Sequence, residues 1–287
     1  MIKKLSLFSF VFLASISFVQ GQDLTPLTCS VNRDLERCEI SISSPQEFQS
    51  LSELDAFCAE TCEGLPYHVT LTQNILFSDT IPDSNCVANF SPIMNFSGTL
   101  DGNGFYIAGL CLKDSEQLEM LLSPAIFKKK EKAIFKNLTL KNIFVSSESS
   151  ERTAVLVNNS SISLEMDNIE LYNITVVAKG YASSGILVSE LNNDTANVAK
   201  FNRIKGSDLN LLIYGDGSVG GLIGYSSGNK PTEITNSSIQ LNVTHLNTTE
   251  EKPVSLNFGG LIGETYGAKF KNDSLVLNVS LKNSNFP

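Results

Sequence analysis

Residues 215–220 match the pattern Gly-x-Gly-x-x-Gly, which can bind the phosphates of a dinucleotide. Such a loop needs a helix that opens at its glycines, so that the helix N-terminus faces the pyrophosphate. The segment that follows, 221–231, contains further glycines and ends in proline, so it is a poor helix former. We therefore assign no phosphate site to this motif.

The triplet Arg203-Ile204-Lys205 resembles one found in polysaccharide-cleaving β-helix hydrolases. Those enzymes also need a pair of carboxylic acids beside it. Asp194 and Asp208 are isolated, and the adjacent acids Glu250 and Glu251 lie in a separate polar segment. A solvated strand edge is the interpretation that we favour for the triplet.

The remaining reactive side chains do not form a catalytic set. His68 and His245 have no glycine-flanked context, and no Ser-His-Asp or Cys-His arrangement follows from the spacing. The basic cluster 128–132 could contact acidic glycans, but a solvated turn is the preferred interpretation. The sequence predicts no catalytic residue, no cofactor and no metal site.

Cysteines are confined to the first 111 residues, and there are six of them: Cys29, Cys38, Cys58, Cys62, Cys86 and Cys111. An even number in an exported chain predicts disulfides. A zinc site is the alternative, but the pair Cys58 and Cys62 has no matching second pair. A Cys29–Cys38 bond across a short loop is one guess at the pairing.

Residues 1–21 form the pattern of a signal peptide, with Lys3 and Lys4 before an apolar run. No later stretch is long enough to span a bilayer. Loss of the two lysines changes the formal charge from −9 to −11. Such an acidic chain disfavours nucleic acid and anionic lipid as partners. We expect a secreted or cell-surface protein that is not inserted in a membrane after the signal is removed.

Twelve Asn-x-Ser/Thr sequons are present, and some of them coincide with positions of an internal repeat. In a eukaryotic secretory pathway, exposed sequons would carry glycans. The glycosylation candidates are Asn89, Asn95, Asn158, Asn193 and Asn247.

An internal repeat of about five units organises the second half of the chain. Its clearest phrases are Gly220-Gly221-Leu222-Ile223-Gly224 and Gly259-Gly260-Leu261-Ile262-Gly263. We align the units on one small residue in each: Ala125, Ala154, Gly185, Gly221 and Gly260. This alignment places Leu222 and Leu261 in an interior column with Val155 and Ile186. The glycines Gly221, Gly224, Gly260 and Gly263 are then structural, because they allow the backbone to turn.

A second repeated phrase is an apolar residue, any residue and then asparagine. It supplies Asn137, Asn168, Asn236 and Asn272, with Gly206 in the third unit. These asparagines either stack as an amide ladder or occupy ordinary surface turns.

One helix is predicted over 45–63, before the repeats. Ser44 is a suitable N-cap, Pro45 fits the first helical position, and Glu47 completes a capping box. Its apolar residues fall on one face at helical spacing. The helix either covers the open end of a β array or is an ordinary packing helix.

The stretch 96–110 and the Gly-Gly-Leu-Ile-Gly units resemble the GLUG-repeat family of surface proteins. That resemblance implies an all-β fold, a right-handed parallel β-helix, and an association with adhesin-like chains and surface proteases. We divide the chain into a signal peptide (1–21), an N-terminal disulfide-containing cap (22–95) and β-helix repeats (96–287).

From these features we expect an exported, non-catalytic repeat protein with an adhesion or display role. Its partner would be a surface protein or a glycan that the sequence does not identify. The alternative is a carbohydrate-active β-helix enzyme in which Arg203 and Lys205 contribute. A third possibility is a fragment of a longer anchored chain.

Overall fold

The computed structural model describes residues 25–90, 93, 96–113, 132–147, 152–160, 162–178, 183–193, 197–214, 217–247 and 256–283. The expected signal peptide and Asn95 lie outside these residues. The N-terminal elements are β1 (Cys29–Asn32), β2 (Arg37–Ile42), α1 (Pro45–Gln49), a 3-10 turn (Ser50–Glu53), α2 (Leu54–Cys62), β3 (Tyr67–Leu71), β4 (Ile75–Leu76), β5 (Gly98–Asp101), β6 (Tyr106–Ala108) and β7 (Cys111–Lys113).

The rest of the described chain is made of strands. They are β8 (Lys132–Ser147), β9 (Val157–Ser160), β10 (Ser163–Ala178), β11 (Ser184–Gly185), β12 (Val188–Asn193), β13 (Ala199–Ile213), β14 (Gly217–Gly220), β15 (Ile223–Gly228), β16 (Thr232–Thr235), β17 (Ser238–Asn247), β18 (Leu256–Gly259), β19 (Ile262–Thr265), β20 (Ala268–Lys271) and β21 (Ser274–Asn283). Among the residues that the structure describes, no helix is long and apolar enough to cross a membrane.

These strands form a β-solenoid of about six turns, which confirms the predicted all-β fold. The largest sheet has the order β1-β2-β3-β5-β8-β10-β13-β16-β20, and every pair from β2 onward is parallel. Two smaller parallel sheets, β11-β14-β18 and β9-β12-β15-β19, complete the later coils. The parallel sheet begins at β2, so it already includes strands of the region that precedes residue 96.

One continuous column of apolar side chains runs through the interior of the large sheet. Its members are paired strand by strand in the order Ile40, Val69, Leu100, Phe135, Met166, Phe201, Ile234 and Phe270. The first seven are at most 1% exposed. Alternation along each strand sends its other side chains outward, because neighbouring residues of a strand face opposite sides.

Left-handed residues turn the chain at two corners of each middle coil. Asn137 and Asn142 in β8 and Asn168 and Asn173 in β10 have φ between 50° and 56°. Asparagine tolerates this conformation better than most residues do. Each long strand is therefore a set of three straight segments joined by two corners.

The corner asparagines stack as amide ladders, one of the two alternatives that the sequence left open. Asn168 Nδ2 donates to Asn137 Oδ1 (3.1 Å), and Asn137 Nδ2 donates to Asp101 Oδ1 (3.1 Å). A second ladder, with distances of 2.8 to 3.1 Å, joins Asn272, Asn236, Asn202 and Asp167 in that order. Both ladders donate toward the N-terminal end of the solenoid, and both finish on an aspartate.

The expected alignment of the third repeat was wrong at this corner. Asn168 lies opposite Arg203, because Ile169 pairs with Ile204 in the neighbouring strand. Arg203 has a φ of 55°, so the asparagine position of the repeat, to which we assigned Gly206, is held by arginine. The amide of the ladder comes from Asn202 instead.

The glycine alignment was also displaced by one residue in the last two units. Gly185 pairs with Gly220, and Gly220 pairs with Gly259, so Gly221 and Gly260 lie one position later. A Cβ on Gly220 would overlap the carbonyl oxygen of Ile223, which explains the glycine.

The leucine column shifts in the same way. Leu222 accepts a backbone hydrogen bond from Leu187 (3.0 Å) and donates to Leu261 (2.9 Å), so its partner is Leu187 rather than Ile186. Leu222 is fully buried, and Leu261 is partly buried against the core. The predicted inward orientation of the two leucines is therefore correct, while the neighbours assigned to them, Val155 and Ile186, are wrong.

The helical segment 45–62 covers the interior in the first coil. Ser44 Oγ accepts from the Glu47 backbone N–H (3.1 Å), while the Glu47 carboxylate bonds to Ser43. Phe48, Leu51, Leu54 and Cys58 are buried in the same core as the solenoid strands.

Three disulfides fasten the N-terminal region: Cys29–Cys58, Cys38–Cys62 and Cys86–Cys111. Disulfide formation is confirmed, but the Cys29–Cys38 pairing was wrong. Cys58 and Cys62 are one helical turn apart on α2, so each reaches a different strand of the β1–β2 hairpin. Cys29, Cys58 and Cys62 also form a cluster of possible metal ligands, but all three sulfurs are used in disulfides.

Candidate binding surface

The outer side of the large sheet is a mainly polar surface, which we call the charged face. Alternation along the strands produces two outward rows, each with one side chain from every parallel strand. The first row is Glu39, His68, Thr99, Ile134, Glu165, Lys200, Glu233 and Lys269; the second is Ser41, Thr70, Asp101, Lys136, Asp167, Asn202, Thr235 and Lys271. All sixteen are half-buried or exposed.

Ion pairs between neighbouring coils neutralise much of this face. Lys136 Nζ lies 3.0 Å from Asp101 Oδ2, and Arg203 Nε donates to Asp167 Oδ1 at 3.0 Å. Lys132–Glu165 and Lys269–Glu233 form similar pairs at 2.6 and 3.5 Å, and Lys205–Glu170 forms another just past the corner at 3.4 Å. Exposed pairs stabilise a fold only slightly, so their main effect here is to fix the positions of the side chains.

The two acids of the second row are held in their ionised form. Burial acts to raise the pKa of Asp101, but hydrogen bonds from Asn103, Asn137 and Lys136 outweigh it and lower the pKa. For Asp167 the hydrogen bond from Arg203 is the largest cause of a lowered pKa, and Asn202 adds to it. Both carboxylates are therefore charged at neutral pH and serve as acceptors.

His68 belongs to this surface, which sequence reasoning missed. Partial burial lowers its pKa, and the charges of Arg37 and Lys136 lower it further. The imidazole is therefore neutral at neutral pH. Beside it, Arg37 donates to Glu39 at 2.8 Å and lowers the pKa of that carboxyl group. The signal that could have placed His68 is its outward position in the alternating strand Tyr67–Leu71.

The structure separates the motifs that the sequence singled out. Arg203 and Lys205 lie at and just after a corner, each paired with an acid of the preceding coil. In the dinucleotide-like motif, residues 217–220 form β14 and residues 223–228 form β15, so no helix follows its glycines. Of the basic cluster 128–132, only Lys132 is described, and it begins β8.

The polar segment 226–232, whose serine, glycine, asparagine and proline residues are typical of a loop, is built into the fold. Ser226 and Thr232 are at most 2% exposed, and their hydroxyls are 2.7 Å apart. Asn193 Nδ2 donates to Thr232 Oγ1 at 2.9 Å from the neighbouring coil. These three side chains, the buried polar triad, leave only 229–231 as a connection between strands.

The glycosylation candidates lie in different environments. Asn193 is 2% exposed within the buried polar triad, so a glycan on its Nδ2 does not fit this structure. The amide of Asn89 bonds to Gly109 and Cys111, which occupies both its nitrogen and its oxygen. Asn158 lies in β9, and Asn247 is the last residue of β17 rather than part of a loop.

Comparison with known proteins identifies the fold. A solved structure from Bacteroides ovatus, named a "putative immunoglobulin A1 protease", matches this chain with a TM-score of 0.54. Its sequence is 12% identical, and the match covers 87% of this chain and 79% of that one. No family model matches the chain, and no curated protein does. At this level of identity, the likeness establishes the β-solenoid architecture alone.

Proposed function

We propose that this chain is an exported β-solenoid protein of the GLUG-repeat type that binds a surface protein or a glycan through the charged face. The observation that carries the proposal is the pair of outward rows, in which acids, bases and hydroxyl groups stand in fixed order on eight parallel strands. At a spacing of about 4.8 Å, eight strands extend over about 34 Å. Such a surface can contact several groups of an extended ligand at once.

An extracellular location is part of the proposal. Three disulfides support it, because such bonds persist in oxidising compartments. The signal-like segment 1–21 and the resemblance to surface proteins support it as well.

We further propose that the charged face does not cleave its ligand. Asp101 and Asp167 flank Lys136 in one row, so their strands are about 9.6 Å apart. Two acids at such a separation suit an inverting glycosidase only if one has a raised pKa and donates a proton. Here the pKa of each is lowered, which disfavours the carbohydrate-active alternative.

The test is binding to a glycan array and to cells, with variants that reverse charge on the face. Lys136→Glu and Asp167→Lys should each weaken binding at least tenfold, because each reverses a charge that the ligand would contact. Asp79→Lys, at an exposed position outside the rows, is the matched control. Melting temperatures of all three variants separate lost binding from lost folding.

An assay for cleavage accompanies the binding measurement. The protein is incubated with polysaccharides, and new reducing ends are measured. Turnover that disappears in Arg203→Ala would overturn the proposal in favour of the enzyme. Unchanged binding in both charge reversals would also contradict it.

A further inference from the structure

We infer that the outer side of the four-stranded sheet holds a binding site for a primary ammonium group, presented as a lysine side chain by a partner protein. The site consists of Tyr225, Tyr266 and Glu264, which we call the aromatic corner. It lies on β15, on β19 and in the turn that follows β19, away from the charged face. The inference does not depend on the charged face having a ligand.

The two tyrosines stand at right angles. Their ring centroids are 6.5 Å apart with an interplanar angle of 87°, so one face of each ring bounds a corner. Tyr266 is 74% exposed although it is aromatic, and its backbone N–H donates to Ser226 at 3.2 Å. That hydrogen bond ties the turn carrying Tyr266 to β15. The π faces of tyrosine rings attract cations.

Glu264 adds negative charge beside the rings. It is the strand neighbour of Tyr225, and its Oε2 accepts from Ser218 Oγ (2.6 Å) and Asn257 Nδ2 (3.1 Å). Both donors are neutral, and no basic side chain among the described residues pairs with this carboxylate. Its negative charge is therefore open to a cation of a ligand.

Glu190, on the other side of Tyr225, shows the contrasting case. Its strand position also adjoins Tyr225, but its carboxylate already pairs with Arg152 at 2.6 Å. Tyr225 therefore has a neutralised acid on one side and an unneutralised acid on the other. The negative charge of the corner is concentrated at Glu264.

The hydrogen bonds of Glu264 select the type of cation. Because Oε2 already accepts twice, Oε1 is left as the acceptor for a ligand. A guanidinium group binds a carboxylate best through both oxygens, whereas an ammonium group is a compact charge that can donate to one. The chain itself uses this chemistry elsewhere, where Lys141 Nζ lies 3.3 Å from the ring centroid of Tyr106. The corner therefore favours lysine over arginine.

The experiment is an NMR titration of the full chain with N-acetyl-lysine N-methylamide, followed through the ring signals of the tyrosines. The signals of Tyr225 and Tyr266 should shift in a saturable way. The Nε-acetylated probe, which lacks the charge, should bind at least tenfold more weakly, and the arginine analogue severalfold more weakly.

Variants test the residues themselves. Glu264→Gln and Tyr266→Ala should each lower the affinity for the lysine probe about five- to tenfold. Tyr172→Ala, at a tyrosine that is 50% exposed on another side, and Glu60→Gln, on α2, are matched controls that should leave it unchanged. Equal affinity for the acetylated probe, a preference for the arginine probe, or unchanged binding in Glu264→Gln would each overturn the inference.

Discussion

Phe270 lies directly beside Ile234 in the interior column, yet it is 53% exposed while Ile234 is completely buried. The reason is that β20, which carries Phe270, is the last strand of its sheet. Among the described residues, no further strand pairs with it to cover that side chain. Two neighbouring residues of the inward-facing column thus differ in environment. Ile234 is a core residue, whereas Phe270 is exposed at the end of the sheet.

The effect of a charge in this column should depend on the coil. Ile234→Asp would bury an unpaired carboxylate and should lower the free energy of unfolding by several kcal/mol. Phe270→Asp places the same charge at an exposed end and should cost about 1 kcal/mol or less. Urea unfolding of both variants makes the comparison. Similar losses in the two would mean that Phe270 is covered in solution.

The amide ladder makes a contribution that can be separated from that of the corner. Asn236→Ala loses hydrogen bonds to Asn202 and Asn272 and places alanine at a φ of 54°, so it should cost about 2 kcal/mol. Asn236→Gly adopts the left-handed φ of the corner without strain but loses the ladder hydrogen bonds. Its free energy of unfolding should therefore fall by about 1 kcal/mol. Exposed Asn229→Ala is the control. A glycine variant as stable as the parent would show that the ladder adds nothing.

Removing one hydroxyl from the buried polar triad should destabilise the fold. Thr232→Val preserves the side-chain shape but leaves Asn193 and Ser226 short of a partner, which should cost about 1–3 kcal/mol. Thr99→Val, on the outer side of β5, should be nearly neutral. Chemical denaturation provides the values. If Thr232→Val unfolds like the parent, the segment 226–232 is the tolerant loop that its polar sequence suggests.

Acid should weaken the fold through Asp101 and Asp167, whose pKa values are lowered. A carboxyl group with a lowered folded pKa stabilises the fold above its unfolded value, near 3.9, and this contribution is lost as the pH falls through the folded value. Stability should therefore decline as the pH falls below about 4. The decline should be smaller in Asp167→Asn than in the parent.

Urea unfolding at several pH values measures this effect, with exposed Asp79→Asn as the control. The control should follow the acid dependence of the parent. If the free energy of unfolding depends on pH in the same way for Asp167→Asn and the parent, Asp167 has the same proton affinity in the folded and unfolded chains.

The internal repeat and the resemblance to GLUG-repeat proteins together predicted the solenoid from the sequence. The register between strands was harder to predict, because Gly220-Gly221 and Gly259-Gly260 each offer two small residues that can be aligned with Gly185. Backbone pairing selects the first of each pair. In the same way, Arg203 occupies a corner that asparagine holds in other coils, because its guanidinium group bonds to Asp167. A search for asparagine alone could not find that position.

Neither candidate surface could be assembled from sequence spacing. The charged face joins eight strands of the large sheet, and its charge pattern emerges only when each outward residue is placed beside its neighbour. The aromatic corner brings together Tyr225 and Tyr266 across neighbouring coils of unequal length. The number of residues between the two tyrosines does not predict that contact. The individual strands, in contrast, are predicted by their alternating apolar residues.

The common direction of the amide ladders bears on how the protein is made. Each ladder asparagine donates to a residue of the coil before it, as Asn168 does to Asn137. During synthesis the N-terminal coils leave the ribosome first. Each new coil of a ladder then meets an acceptor that is already in place, and its own amide oxygen can accept from the next coil. The solenoid can therefore be assembled one coil at a time, in the order in which the ribosome supplies it.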